Sequence, residues 1–187
     1  MDIIYKIYND KSNVFKLKDI AMLTGETNLI SLAKSLNYFV RNGKLLNPRK
    51  GIYAKTGYTP EELTCILYTP SYISMEYVLA RVGIIFQYDR TITAASYLKR
   101  EITVGENVIL YRKFKGEILV NTCGIILREN NINIATTERA FLDILYLKNH
   151  FFFDNLRPLK KSLINKLLPI YNSTKLEQKV NQLFSKK

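Results

Sequence analysis

Apolar residues recur along this chain with two different periods, and the points where the period changes divide it into parts. Residues 2–9 (Asp-Ile-Ile-Tyr-Lys-Ile-Tyr-Asn) have helical spacing and predict a first short helix. Between Val14 and Gly25, residues Leu17, Ile20, Ala21 and Leu23 fall on one face, which predicts a second helix stopped by the glycine. Thr27 or Asn28 then caps a third, running to about Asn42 with Gly43 as its breaker. Its inward stripe is Leu29, Leu32, Ala33, Leu36 and Val40. From Gly43 to Ala54, two short apolar strands flank a turn of proline and basic residues, the pattern of a β-hairpin. Helix, tight turn, helix and hairpin together predict a winged helix-turn-helix over residues 1–57.

The run Thr56-Gly57-Tyr58-Thr59-Pro60 marks the expected boundary. A helix at about 60–67 follows it. A second, at 72–82, is capped by Ser71 or Ser74, has Met75, Val78, Leu79 and Val82 inward, and stops at Gly83. Beyond Gly83 the pattern becomes β-branched alternation. Residues 90–95 predict a strand, 101–114 a hairpin turning at Gly105, and 124–127 and 132–135 two more short strands. Thr136 caps a helix at 137–148, with Glu138 in its first turn, where the helix dipole favours a carboxylate. One or two basic helices, interrupted at Pro158 and Pro169, finish the chain. The fold class expected is therefore α+β: an N-terminal winged helix-turn-helix and a mixed α/β C-terminal domain, 58–187, with short antiparallel strands. The two halves are expected to be separable.

Composition narrows the function more than the fold. The net charge is +12, and its distribution is uneven. Residues 1–57 carry ten Lys/Arg against four Asp/Glu, residues 58–154 carry ten against eleven, and residues 155–187 carry eight against one. Basic ends around a neutral middle predict two separate surfaces that attract nucleic acid or an acidic protein. No apolar run approaches the roughly 18 residues a membrane helix needs. The first residues lack the basic-then-apolar layout of a signal peptide, so a cytoplasmic protein without a membrane partner is expected. Cys65 and Cys123 are too few and too far apart for a metal cluster or disulfide framework, and both are expected to be buried and reduced.

Catalytic parts are scarce. His150 is the single histidine, between a helix end and Phe151-Phe152-Phe153, and suits capping or packing. A metal nuclease could draw on Asp89 and Glu117, but the lysine wanted two residues later is Leu119. No zinc-protease, P-loop or nucleophile-elbow motif occurs. A binder is expected, not an enzyme, with no cofactor and no metal.

The binding surface is legible on the third helix. Opposite its apolar stripe lie Thr27, Asn28, Ser31, Lys34, Ser35, Tyr38 and Arg41. Hydroxyls and an amide near the helix start suit base edges, and cations further along suit phosphates. Asn28 and Ser31 are the candidates for base readout, and Lys34, Tyr38 and Arg41 for backbone contacts. Arg49 and Lys50 at the hairpin tip, and Lys16 and Lys18 opening the second helix, could add phosphate contacts. At the other end of the chain Arg157, Lys160, Lys161 and Lys166 form a second basic cluster. Interleaved Leu159, Leu163, Ile164, Leu167 and Leu168 dock that segment and turn the cations outward, with Lys175, Lys179, Lys186 and Lys187 beyond.

Two phrases go beyond physics. Residues 70–85, beginning Pro70-Ser71-Tyr72-Ile73-Ser74-Met75-Glu76, closely resemble the "PSYIS-x-E-x-AL-x-x-x-G-(L/I)-I" signature of the AbiEi family, the antitoxins of type IV (abortive-infection) toxin–antitoxin systems. Residues 134–147, with Ala135-Thr136-Thr137-Glu138-Arg139-Ala140-Phe141-Leu142-Asp143, resemble that family's "A-T-P-E-(K/R)-A-(L/F)-L-D" signature. The resemblance implies a repressor that binds inverted repeats in its own promoter, with two copies on DNA as one arrangement. It also implies a C-terminal domain that counteracts a nucleotidyltransferase toxin without a stable blocking complex. Within such a family a basic C-terminal face is linked to neutralisation, and Arg157, Lys160, Lys161 and Lys166 are the nearest equivalents. Thr137 replaces the second signature's proline, and Lys113 in Tyr111-Arg112-Lys113-Phe114 replaces a histidine of a third phrase. The alternative is a stand-alone winged-helix regulator whose second domain dimerises or senses a signal.

Overall fold

Asp2 opens the first helix by accepting the Ile4 N–H at 3.2 Å, and α1 runs Ile3–Asn9. In the computed structural model, which describes residues 2–86 and 90–185, the next element departs from the expected pattern. Val14–Lys16 is a strand, β1, and the second helix, α2, begins only at Leu17 and runs to Thr24. The reason is two-sided burial. As a strand, the segment sends Phe15 into one apolar cluster and Val14 into another, because alternate residues of a strand face opposite ways. Asp19 closes the helix start by accepting the Lys16 N–H at 2.8 Å, and Gly25 ends it at φ 76°, a conformation that suits glycine. Asn28 caps α3 (Leu29–Arg41) by accepting from the N–H groups of Ile30 and Ser31. The hairpin follows as β2 (Leu46–Arg49) and β3 (Ile52–Ala54), and the small antiparallel sheet has the order β1-β3-β2.

The second half starts with α4 (Pro60–Leu67), whose start is a reciprocal cap. The Thr59 N–H donates to Glu62 at 2.7 Å, and the Glu62 N–H donates to Thr59 Oγ1 at 3.3 Å. Thereafter come β4 (Ser71–Ile73), α5 (Glu76–Arg81), β5 (Ile92–Ser96), β6 (Arg100–Val104), β7 (Asn107–Lys113), α6 (Gly116–Val120), β8 (Ile125–Leu127), β9 (Asn133–Ala135), α7 (Thr137–Leu147), α8 (Lys161–Leu167) and α9 (Thr174–Ser185). The chain is thus an α+β protein. Its larger sheet has the order β6-β7-β5-β4-β9-β8. Three antiparallel pairs, β4·β5, β6·β7 and β8·β9, are joined by two parallel pairings, β5·β7 and β4·β9, so the strands are not all antiparallel as expected.

The helix expected at 72–82 is also corrected. Residues 71–73 are a central strand, and neither Ser71 nor Ser74 caps α5, which starts after Met75 at φ 60°. Val82, expected inward, is exposed, as are Leu29 at the start of α3 and Leu163 on α8. Cys65 is buried as expected, and burial pushes its thiol up to about 11. Cys123 is exposed, because it lies in a loop ahead of the edge strand β8.

The two halves share a boundary that is packed. Ile7, Phe15, Ile20, Leu32, Leu36, Leu45 and Tyr53 form the N-terminal core, whereas Val14, Ile52 and Ala54 on the other face of the small sheet join the large core. Polar bonds cross the same boundary: Asn13 Nδ2 donates to buried Glu62 at 2.8 Å and Asn131 Nδ2 to Ser12 Oγ at 3.2 Å. Among the described residues, no helix is long and apolar enough to cross a membrane.

Candidate nucleic-acid interface

The N-terminal surface is built by α3. Leu32 and Leu36 are buried in its core-facing stripe, so the helix is held by one side and presents the other. Thr27, Asn28, Ser31, Lys34, Tyr38 and Arg41 are exposed on that outer side, and Ser35 is half-buried. Ser31, Lys34, Tyr38 and Arg41 succeed one another at spacings of three or four and so line one stripe. Their side chains make no hydrogen bond or ion pair among the described residues, and the Tyr38 ring stands edge-on to Phe39. Ile30, 74% exposed, adds an apolar contact at the head of the same helix that the sequence pattern did not single out.

The structure gives several other candidates a prior job. The side-chain oxygen of Asn28 is taken up by the two N–H groups it caps, at 3.1 and 3.0 Å, which leaves its amide NH2 to face outward. Lys18 and Lys50 are exposed. Lys16 instead lies against the second half, with Nζ 3.5 Å from Thr69 Oγ1. Arg49 is half-buried and lies close enough to Tyr111 for its charge to work against the rise of that phenol's pKa. Lys6 and Lys55 are structural cations, donating to the carbonyls of Thr24, Tyr8 and Asp10. Of the basic residues singled out around α3 and the hairpin, Lys18, Lys34, Arg41 and Lys50 remain exposed, a smaller set than the sequence offers.

A second basic surface lies at α8. Ile164 and Leu167 anchor that helix, while Arg157, Lys160, Lys161 and Lys166 are all exposed. The Lys160 N–H donates to Glu138 at 3.1 Å, which ties the segment to α7, and Lys161 Nζ lies 5.8 Å from the Phe184 ring centre. A cleft of about 520 Å³ beside Lys160 is floored by Val82, Ile126 and Leu163, which places these exposed apolar residues together. Lys179 belongs to a different group, since it donates to the carbonyls of Leu145 and Lys148 at 2.8 Å and closes the end of α7. Lys175 is exposed, and Lys186 and Lys187 lie outside the described residues.

Between the two surfaces the sequence phrases of residues 70–85 and 134–147 meet in a buried network. Arg139 and Asp143, both fully buried, pair at 3.3 Å. Asp143 also accepts from Ser74 at 2.6 Å, Tyr171 at 2.6 Å and Tyr72 at 3.3 Å. Arg139 donates to Tyr72 at 2.9 Å and to the carbonyls of Ile118 at 2.7 Å and Cys123 at 3.0 Å. Burial pushes the Tyr72 and Tyr171 phenols well up, so they stay protonated and can donate. Burial also raises the Asp143 carboxyl, against the pull of Arg139 and the three hydroxyls. Burial works against the Arg139 charge, yet Asp143 and both tyrosines raise its pKa. Tyr72, Ser74, Arg139, Asp143 and Tyr171 escaped the sequence reading as a unit, because they come from positions up to about a hundred residues apart in the chain. The network is a lock between β4, α7 and the turn after α8.

His150 is exposed after α7, Glu117 is exposed on α6, and Asp89 lies outside the described residues. Among the described residues no group of three or more His, Cys, Asp or Glu could hold a metal ion. No protein-family model matches the chain, and no curated protein does.

Proposed function

We propose that this protein is a cytoplasmic, DNA-binding antitoxin that represses its own toxin–antitoxin operon and counteracts a nucleotidyltransferase toxin. In this reading residues 1–57 are a winged helix-turn-helix with α3 as the recognition helix and the β2–β3 hairpin as the wing. The observation that carries it is the order α1-β1-α2-α3-β2-β3 combined with an α3 whose outward stripe of Ser31, Lys34, Tyr38 and Arg41 is unengaged. A single α-helix fits the major groove, about 12 Å wide. Ser31 and the Asn28 amide then face base edges near the helix start, and Lys34, Tyr38 and Arg41 face phosphates. Two copies on an inverted repeat would set their α3 helices about 34 Å apart, one turn of DNA.

The antitoxin half rests on the two phrases that resemble the AbiEi family and on the exposed quartet Arg157, Lys160, Lys161 and Lys166. The buried network supplies a physical reason for both phrases to occur in one chain, since Tyr72 and Ser74 come from the first and Arg139 and Asp143 from the second. The test is twofold: anisotropy titration with duplex from immediately upstream of the reading frame against a shuffled duplex, and growth on co-expression with any nucleotidyltransferase encoded beside it. Equal affinity for the two duplexes removes the repressor role, and growth arrest despite co-expression removes the antitoxin role. A second reading, a stand-alone winged-helix regulator with a sensing C-terminal domain, is favoured by one observation, a cleft lined by both Glu76 and Arg112.

A further inference from the structure

A cleft of about 720 Å³ opens between α5, strands β5 and β7, and the segment around Lys148 to Asp154. That volume lies within the roughly 300–1,000 Å³ of small-molecule sites. Three features of its wall are unresolved by the protein itself. Glu76 uses Oε1 on Lys148, at 2.8 Å, while its Oε2 is buried and has no donor. Arg112, half-buried on β7, makes no hydrogen bond or ion pair among the described residues. Phe86 and Phe152 stand 70% and 80% exposed at the rim, with Phe151 beside them under Lys148.

Charge decides what answers all three. Among the described residues, the charged groups on the cleft wall are Glu76 and Asp154 against Arg112 and Lys148, two of each sign. A nucleotide would bring two or more negative charges into a balanced site and leave them uncompensated. A purely apolar molecule would cover the rings and leave both the Glu76 oxygen and the Arg112 guanidinium unpaired, which low-dielectric burial penalises. A net-neutral zwitterion with an apolar side group answers them: its ammonium on the Glu76 carboxylate, its carboxylate on the planar fork of Arg112, and its side group on the phenylalanines. The Tyr77 N–H donates to Thr93 Oγ1 at 3.1 Å, which sets the start of α5 over β5, and Arg112 is paired with Ala95 two residues further along that strand. Glu76 and Arg112 thus line one cleft from α5 and from β7.

We infer that this cleft binds a free α-amino acid with an aromatic or large apolar side chain. The inference is independent of DNA binding. Isothermal titration of the full chain tests it with L-phenylalanine, N-acetyl-L-phenylalanine (no ammonium), L-phenylalanine methyl ester (no carboxylate), L-alanine (no ring), the dipeptide Phe-Ala and GTP. Leucine, tyrosine and tryptophan complete the set. At least one of the four large amino acids should bind with Kd below about 1 mM. For phenylalanine, each truncated analogue should be weakened tenfold or more. Glu76→Gln and Arg112→Ala should each weaken binding tenfold or more with an unchanged circular-dichroism spectrum. No binding by any of the four amino acids overturns the inference, as does binding of the ester or the N-acetyl compound as tight as that of phenylalanine. Tighter binding of Phe-Ala or GTP than of any free amino acid also overturns it. The analogue series on the unmodified protein stands even if a variant fails to fold.

Discussion

Replacing Asp143 with alanine removes the acceptor on which Arg139, Ser74, Tyr72 and Tyr171 converge. The guanidinium of Arg139 would then be a buried cation without its counter-ion, and breaking a buried pair from one side costs about 3–5 kcal/mol. Arg139 keeps its bonds to the Ile118 and Cys123 carbonyls, which argues for the lower half of that range. Against a total stability of about 5–15 kcal/mol the loss is large. With a urea m-value near 2 kcal/mol/M, the midpoint should fall by about 1.5–2 M. Arg139→Met should be similarly damaging, because it strands the carboxylate with only hydroxyl donors. The double variant Asp143→Ala with Arg139→Met should cost less than the sum of the two singles by more than about 1 kcal/mol, since neither charge is left behind. Urea unfolding followed by circular dichroism on all four proteins measures the cycle. Single losses under about 1 kcal/mol, or losses that simply add, would refute the view that this network fastens the two sequence phrases together.

Asn28→Ser should keep the helix cap, since serine caps as well as asparagine, yet lose the amide and with it about 1–3 kcal/mol of binding to the upstream duplex; equal losses on upstream and shuffled DNA in a gel-shift titration would contradict base readout. Changing Arg157, Lys160, Lys161 and Lys166 together to Glu should leave the thermal midpoint close to that of the parent, because all four are exposed, while abolishing protection in the co-expression growth assay; rescue by the reversed variant would refute the assignment. A thiol reagent at neutral pH should label exposed Cys123 rapidly and buried Cys65, whose thiol is pushed up to about 11, only on unfolding; two fast thiols in the native protein would show that α4 is not packed as described.

The parts of this fold that could be read from sequence are those where one residue type has one local job. Asn28 before an apolar stripe, Thr136 before α7, and glycines at positive φ such as Gly105 all act within a few residues of themselves. The parts that could not be read depend on distant partners. Ser71, Tyr72 and Ile73 look like the head of a helix until β5 and β9 take them as a central strand. Val14 and Phe15 look like helix until β3 offers them two cores. The candidate site divides along the same line. The outer face of α3 follows from helical periodicity alone, whereas Lys16 and Lys179 are withdrawn from the basic surfaces by contacts 31 to 53 residues away in the chain.

The most direct test of the central claim, that α3 reads DNA, is the salt dependence of binding. Anisotropy titrations of the parent protein and Lys34→Ala on the upstream duplex, across a range of salt concentrations, give the slope of log K against log salt. The account predicts that the parent binds this duplex more tightly than a shuffled one, and that Lys34→Ala weakens both and lowers the slope by roughly one, the loss of a single phosphate contact. An unchanged slope and affinity in Lys34→Ala, with the parent binding neither duplex in preference, would contradict it.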